Sequence, residues 1–182
     1  MIIGVTGTNG SGKGTVVEYL VQKYGLGHYS VRTFLTETLL AQGSAPEDRG
    51  SLRDIANDLR KEHGPAYVIE QLFAQAKAAG VPAIIESVRT IGEAEYLQSV
   101  GAKILAVDAD RELRYQRIID RGSVTDRLTF EEFCIQEDRE MSSTEPWDMN
   151  VAAVMRMADF VVTNDGSLDE LYSQVGALPL FS

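Results

Sequence analysis

Short apolar runs along the chain alternate with stretches in which apolar residues recur every three or four positions. The runs at 2–6, 27–29, 83–86, 104–107 and 160–162 are too short for helices and nearly all apolar, which predicts buried strands. Between them the helical period is plain in 15–24, where Val16, Val17, Leu20 and Val21 share a face. It returns over 31–41, 52–62 and 66–79. Three helix starts carry a further signature: Thr90 with Glu93, Thr129 with Glu132, and Ser167 with Glu170 each fit a capping box. There a hydroxyl and a carboxylate satisfy exposed backbone N–H groups at the helix start. Strands alternating with helices predict an α/β fold, a five-stranded parallel sheet flanked by helices.

Two segments exceed a simple crossover. Residues 30–80 carry three helices and should project over the carboxyl ends of the strands, where open α/β sheets bind ligands. Residues 122–146 are rich in Asp and Glu and read either as a solvated helical hairpin or as a mobile lid. At 182 residues the chain suits one domain, 1–182, containing both.

The first strand leads into Gly7-Thr8-Asn9-Gly10-Ser11-Gly12-Lys13-Gly14-Thr15, and a helix follows. A polyphosphate has to be wrapped closely by backbone N–H groups, which a glycine-rich turn allows, while Lys13 reaches the terminal phosphates and the helix dipole faces the anion. Strand, loop and helix are the context that the Walker A pattern G-x-x-x-x-G-K-[ST] requires. Here Gly14 follows the lysine and the hydroxyl comes one place later, at Thr15. Gly10, Gly12 and Gly14 do not form G-x-G-x-x-G, which excludes a dinucleotide-binding turn.

The net charge of −10 argues against a nucleic-acid polymer as partner, so any anion has to be held by local basic clusters. One cysteine, Cys134, allows no internal disulfide, and no run approaches a membrane span; a cytoplasmic protein with no membrane partner is expected. Glu86 ends the third strand and is placed to hold Mg²⁺ through water, with Thr15 as a second metal-site residue; helix capping is the alternative for Glu86. Arg89 offers a planar fork for a second phosphate, or else a surface ion pair. Ser30 and Arg32 lie beyond the second strand, and Arg60 with Asn57 is placed to line an acceptor pocket or else to form a solvated helix face. Arg114, Arg117 and Arg121 form one helical stripe, of which Arg117 and Arg121 are expected at the donor phosphates. Arg127 and Arg139 are weaker candidates in the insertion. Asn164, in Asn164-Asp165-Gly166, reads either as part of an ordinary turn or as a residue brought near a bound purine; His28 and His63 lack ligand spacing and read as structural. Trp147 is expected to pack at the base of the insertion.

With these positions assembled, the chain resembles the nucleoside monophosphate kinase-like group of P-loop kinases over nearly its whole length. Gly7 to Thr15 looks like the adenylate kinase form of the loop, with glycine then threonine after the lysine. His28-Tyr29-Ser30-Val31-Arg32 sits where that family has its first acceptor-binding segment. Glu86-Ser87-Val88-Arg89-Thr90 is similar to the family's Asp-Gly-Phe-Pro-Arg-Thr, shortened by one residue. The resemblance implies that Arg89 binds the acceptor phosphate, that Glu86 organises magnesium, and that Arg117 and Arg121 are the paired lid arginines. The tail Ala158 to Val162, with Asn164 to Leu171, looks like that of dephospho-CoA kinases. Leu59-Arg60, His63-Gly64-Pro65 and Phe130-Glu131-Glu132-Phe133 are most similar to small dephospho-CoA kinase-related kinases, many from archaea.

The resulting expectation is an ATP- and Mg²⁺-dependent kinase, a monomer or homodimer, with a small-molecule phosphate acceptor resembling a nucleoside monophosphate. Lys13, Arg89, Arg117 and Arg121 are its catalytic candidates. One alternative is a dephospho-CoA kinase acting on a ribose hydroxyl. Another is a nucleotide-binding regulatory ATPase, although the Asp-x-x-Gly strand end usual in such switches is missing.

Overall fold

Five apolar runs become strands, β1 (Ile2–Gly7), β2 (Gly27–Ser30), β3 (Ala83–Glu86), β4 (Lys103–Asp108) and β5 (Phe160–Thr163); the inner three bury both faces, while β2 and β5 are partly exposed at the sheet edges. The computed structural model describes residues 1–44, 49–122 and 128–180. All strand pairs are parallel, in the order β2-β3-β1-β4-β5. The chain therefore leaves central β1 for one side of the sheet and later crosses to the other. The register pairs Ser30 and Val5 with Glu86, and Gly7 with Val107. Gly7, Ser30, Glu86 and Asp108 consequently end their strands along one edge, where ligands bind in such sheets.

Helices cover both faces. Ile3, Val5, Ile84, Leu105 and Val107 pack under α1 (Lys13–Tyr24) and α9 (Leu168–Gly176). Ile85 and Ile104 face a second core, which also contains residues of α2 (Val31–Ala41), α3 (Arg49–His63), α4 (Tyr67–Ala79), α5 (Ile91–Ser99) and α8 (Val151–Arg156). α6 (Arg111–Arg121) follows β4, and α7 (Phe130–Met141) lies beyond it.

The three capping boxes are present as expected, at Thr90, Thr129 and Ser167. Each cap contributes about 1 kcal/mol and fixes where its helix begins. Of the other expected starts, α2 falls at Val31 as read, α4 one residue later at Tyr67, α1 at Lys13 rather than Thr15, and α3 at Arg49 rather than Leu52. α8 is too short to register as a period; its start is set by Asn150, whose side chain accepts from Ala153 N–H at 3.1 Å.

Within 122–146 the described residues hold one helix, α7, rather than a hairpin; Arg127 lies outside the described residues. α7 is anchored, with Phe133 2% exposed against Tyr115 of α6 and Glu137 buried. Trp147 is half-buried and has Lys61 Nζ of α3 5.8 Å from its ring centroid.

Candidate active site

The loop is shaped by close backbone approach. Gly7 has φ 137°, and a Cβ there would run into the carbonyl oxygen of Val107; Gly12 has φ 90°, and its Cβ would strike the Asn164 amide. No other residue type fits either position. The Lys13 ammonium folds back over the loop and donates to the Thr8 carbonyl at 2.5 Å.

Neighbouring elements fasten the loop. Thr8 Oγ1 donates to Asp108 Oδ1 at 2.7 Å, Arg114 Nη1 donates to the Asn9 carbonyl at 3.2 Å, and Asn164 Nδ2 donates to the Ser11 carbonyl at 2.9 Å. Asn164 is thus placed differently from the expectation of a purine contact: it is 5% exposed, and its amide supports the loop from behind. Arg114 is likewise a support, buried and paired to Glu137 through both terminal nitrogens, with Nε donating to the Ala109 carbonyl at 2.7 Å. Ser11 Oγ is buried with no hydrogen-bond partner among the described residues.

One cavity of about 800 Å³ opens over the strand ends. Asn9, Gly10, Gly12, Lys13, Gly14 and Thr15 line one side of it, while Gly7, Thr8 and Ser11 build the loop without lining it. Ser30, Arg32, Arg60, Arg89, Arg117 and Arg121 all line the same cavity, as does Glu86. The expected donor and acceptor residues are therefore brought together, except those that act from behind the loop. Arg139 is exposed and does not line it.

The residues expected to bind an acceptor differ in how they are held. Ser30 caps α2, its Oγ accepting from Thr33 N–H at 3.4 Å, and Arg32 is exposed at the cavity. Arg60 is 3% exposed; Nε and Nη2 donate to Glu93 Oε1 at 2.9 and 2.7 Å, so it reaches the cavity as half of a buried ion pair. Glu93 Oε2 also accepts from the N–H groups of Arg89 and Thr90, at 2.8 and 3.1 Å. The capping box at Thr90 thereby sets the backbone that carries Arg89. Asn57 donates to Asp148, which Arg53 grips with two bonds of 3.1 and 2.5 Å. The Arg89 guanidinium meets Glu140 Oε2 of α7 at 2.9 Å. Arg117 Nη1 is buried with no hydrogen-bond partner among the described residues, which leaves a donor for an anionic ligand.

Glu86 does not cap a helix. The register puts His28 opposite Ile84, two places before Glu86 on the same sheet face, and His28 Nε2 lies 2.9 Å from Glu86 Oε2. His28, expected to be merely structural, thus orients the candidate metal residue. Its hydrogen bond, helped by the positive charges of Lys13 and Arg89, holds the Glu86 carboxyl below the usual carboxylate range despite burial. No group of three or more His, Cys, Asp or Glu residues suited to a metal is found among the described residues. One ionised carboxylate beside Thr15 and a phosphate loop nevertheless fits Mg²⁺, which keeps several waters and takes phosphate oxygens.

Sequence reasoning missed Asp108, Arg53 and Glu140, read Glu93 only as a helix cap, and gave no sign of the turn at Ser87. Asp108 ends a strand just as Glu86 does, a signal that could have found it. Ser87 lines the cavity with φ 79°, the one non-glycine residue with positive φ among the described residues. It occupies the turn in which Ser87 and Val88 N–H both donate to the Val5 carbonyl, at 2.9 and 3.1 Å. That conformation costs about 1–2 kcal/mol, a local strain of the kind found at ligand sites.

No helix among the described residues is long and apolar enough to cross a membrane. The fold is shared with solved kinases. A putative kinase from Chloroflexus aurantiacus superposes with TM-score 0.60 at 20% identity, covering 96% of this chain and 91% of that one. Shikimate kinase from Acinetobacter baumannii, in complex with shikimate, gives TM-score 0.59 at 13% identity, covering 96% and 88%. UPF0200 protein PAE1629 of Pyrobaculum aerophilum is 30% identical over 182 residues, 98% of this chain and 97% of that protein. Residues 3–148 match the AAA_18 family model, described as an AAA domain. A P-loop seated in a kinase-like five-stranded parallel sheet, matched over most of its length, means that this chain belongs to the AAA domain family and groups with the UPF0200 proteins.

Proposed function

We propose that this protein is an ATP- and Mg²⁺-dependent small-molecule kinase that transfers the γ-phosphoryl group to an acceptor resembling a nucleoside monophosphate. One observation carries the reading: the phosphate loop and a second basic cluster open on the same cavity. Seven basic side chains line it against three acidic ones, in a chain of net charge −10. A protein that merely grips a nucleotide has no need of the second cluster. Kinase-like neighbours of the fold agree with this reading.

In this mechanism the loop amides and Lys13 hold the β- and γ-phosphates. An acceptor phosphate oxygen, positioned by Arg89 with Arg32 beside it, bonds to the γ-phosphorus as the bond to the bridging oxygen of ADP breaks. Arg117 and Arg121 stabilise the charge that develops during transfer, and positioning with electrostatics supplies most of the acceleration. Glu86, through water, and Thr15 are the residues that would hold Mg²⁺, which when bound neutralises phosphate charge.

A second reading has its own observation. Glu86 is an ionised carboxylate on the cavity, and such a group can take the proton of a hydroxyl acceptor such as the ribose of dephospho-CoA. Coupled ADP release with ATP and Mg²⁺ tests both, comparing AMP, CMP, UMP, GMP, their deoxy forms and dephospho-CoA. Stimulation by a monophosphate, lost in Arg89→Ala, is expected; stimulation by dephospho-CoA alone would transfer support to the second reading. If no acceptor raises release above the acceptor-free rate, the kinase reading fails.

A further inference from the structure

We propose that Glu140 determines specificity at the acceptor subsite. It is a built-in carboxylate that an acceptor must displace from Arg89, so phosphomonoester dianions enter and carboxylate monoanions do not. The inference rests on reading Arg89 as the acceptor-binding arginine.

Arg89 Nη1 and Glu140 Oε2 are 2.9 Å apart, with their side chains 17% and 15% exposed and both lining the cavity. The two residues are 51 positions apart in sequence, so the pair exists only because α7 packs where it does. α7 is pinned one turn earlier. Glu137 forms a buried pair with Arg114, the side chains 4% and 5% exposed, and Phe133 is 2% exposed beneath the same helix. Glu137 and Glu140 are three residues apart and project from one face of the helix. Glu140 is therefore presented to Arg89 by a fixed support rather than by a loose tether.

The other two acceptor-side pairs have a different character. Glu93 is fully buried at the start of α5, and Asp148 is bonded to Arg53, Asn57 and Met149 N–H. Neither carboxylate lines the cavity, whereas Glu140 does. Glu140 is the partner positioned to exchange with a ligand.

The selectivity follows from charge and tethering. A preorganised intramolecular carboxylate competes at an effective concentration on the order of millimolar or higher. An incoming carboxylate has the same charge as Glu140 and none of its tethering to the fold, so it does not outcompete the resident group. A phosphomonoester carries about −1.5 to −2 charge at neutral pH and three strong acceptor oxygens, which lets it win the guanidinium.

The test uses the full chain without ATP. Inorganic phosphate and acetate are titrated separately while the Arg89 Nε–H signal is followed by NMR, the signal being assigned through its loss in Arg89→Lys. This readout separates the acceptor subsite from phosphate bound at the loop. Wild type should bind phosphate at Arg89 and give no acetate response. Glu140→Gln should tighten phosphate about tenfold, equivalent to about 1.4 kcal/mol, and make acetate binding measurable. Glu140→Ala should do the same, and thermal unfolding of both variants verifies the fold. The proposal is overturned if both variants bind phosphate no more tightly than wild type, or if wild type binds acetate as well as phosphate. It is equally overturned if neither ion perturbs Arg89 in any variant. Because no turnover is needed, a protein inactive with every acceptor but showing the Glu140 effect would sink the kinase reading and leave this one standing.

Discussion

At the loop end of the cavity, one contiguous segment, Gly7 to Thr15, carries the backbone amides and Lys13, and its neighbours brace it from behind. At the arginine end, Arg53, Arg60 and Arg89 come from α3 and the turn after β3, and each is already held by a carboxylate from a distant part of the chain. The difference lies in what each kind of group tolerates without a ligand. Backbone amides at a helix N-terminus carry partial charge and can face water. A sequestered guanidinium left without a partner is expensive, so the fold supplies Asp148, Glu93 and Glu140 in advance. The ligand-facing Lys13 of the loop should therefore be decoupled from stability, and the paired arginines at the other end bound to it.

The sharpest way to break this contrast is Glu93→Ala, which strands the buried Arg60 and removes the N-cap partner of α5. It should cost about 3–5 kcal/mol in denaturant unfolding. A loss below about 1 kcal/mol would mean that Arg60 finds another partner and that the arginine end is not stability-linked.

Lys13→Ala probes the opposite end. Coupled ADP release should fall about 10²- to 10³-fold, in line with removing one preorganised charge stabiliser, while unfolding changes by about 1 kcal/mol or less. A large stability loss there would erase the distinction between the two ends.

Asn164→Ala sharpens the bracing of the loop. It leaves the Ser11 carbonyl without its buried donor, which should cost about 1–3 kcal/mol. Nucleotide affinity, measured by calorimetry, should fall because the loop loses its support. Weaker binding with no stability change would return Asn164 to the direct nucleotide contact expected from sequence.

The smallest effect concerns Glu86, whose carboxyl is held below its ordinary 4.5 by the His28 hydrogen bond. A depressed folded-state pKa stabilises the protein fully above the unfolded value and loses that contribution as pH falls through the folded one. Unfolding free energy should accordingly decline below about pH 4.5, and the decline should be shallower in His28→Ala, which lacks the donor. An identical slope in both would place the acid sensitivity elsewhere.

The parts of the site that were legible in advance are those in which neighbouring residues do the work. The loop could be read because its glycines, Lys13 and Thr15 lie on consecutive positions between a strand and a helix. The capping boxes at Thr90, Thr129 and Ser167 could be read because each closes within one turn. His28 was read as structural without its partner, because Glu86 is 58 residues away and adjacent only through the β2–β3 register. The contact of Asn164 with the loop was hidden for a similar reason, since its partner Ser11 lies 153 residues away. Arg60 was correctly placed on the cavity, yet nothing near it in sequence indicates that Glu93 already holds it.

The sequence by itself determined the alternation of strands and helices, the phosphate-gripping loop and the strand-terminal carboxylate Glu86, all of which follow from short-range periodicity and backbone chemistry. Only the tertiary structure decided which arginines meet which carboxylates, that His28 orients Glu86, and that α7 delivers Glu140 to Arg89. Such pairings depend on sheet register and helix packing, and those are fixed by the burial of apolar faces summed over the whole fold, a quantity that no local window of residues contains.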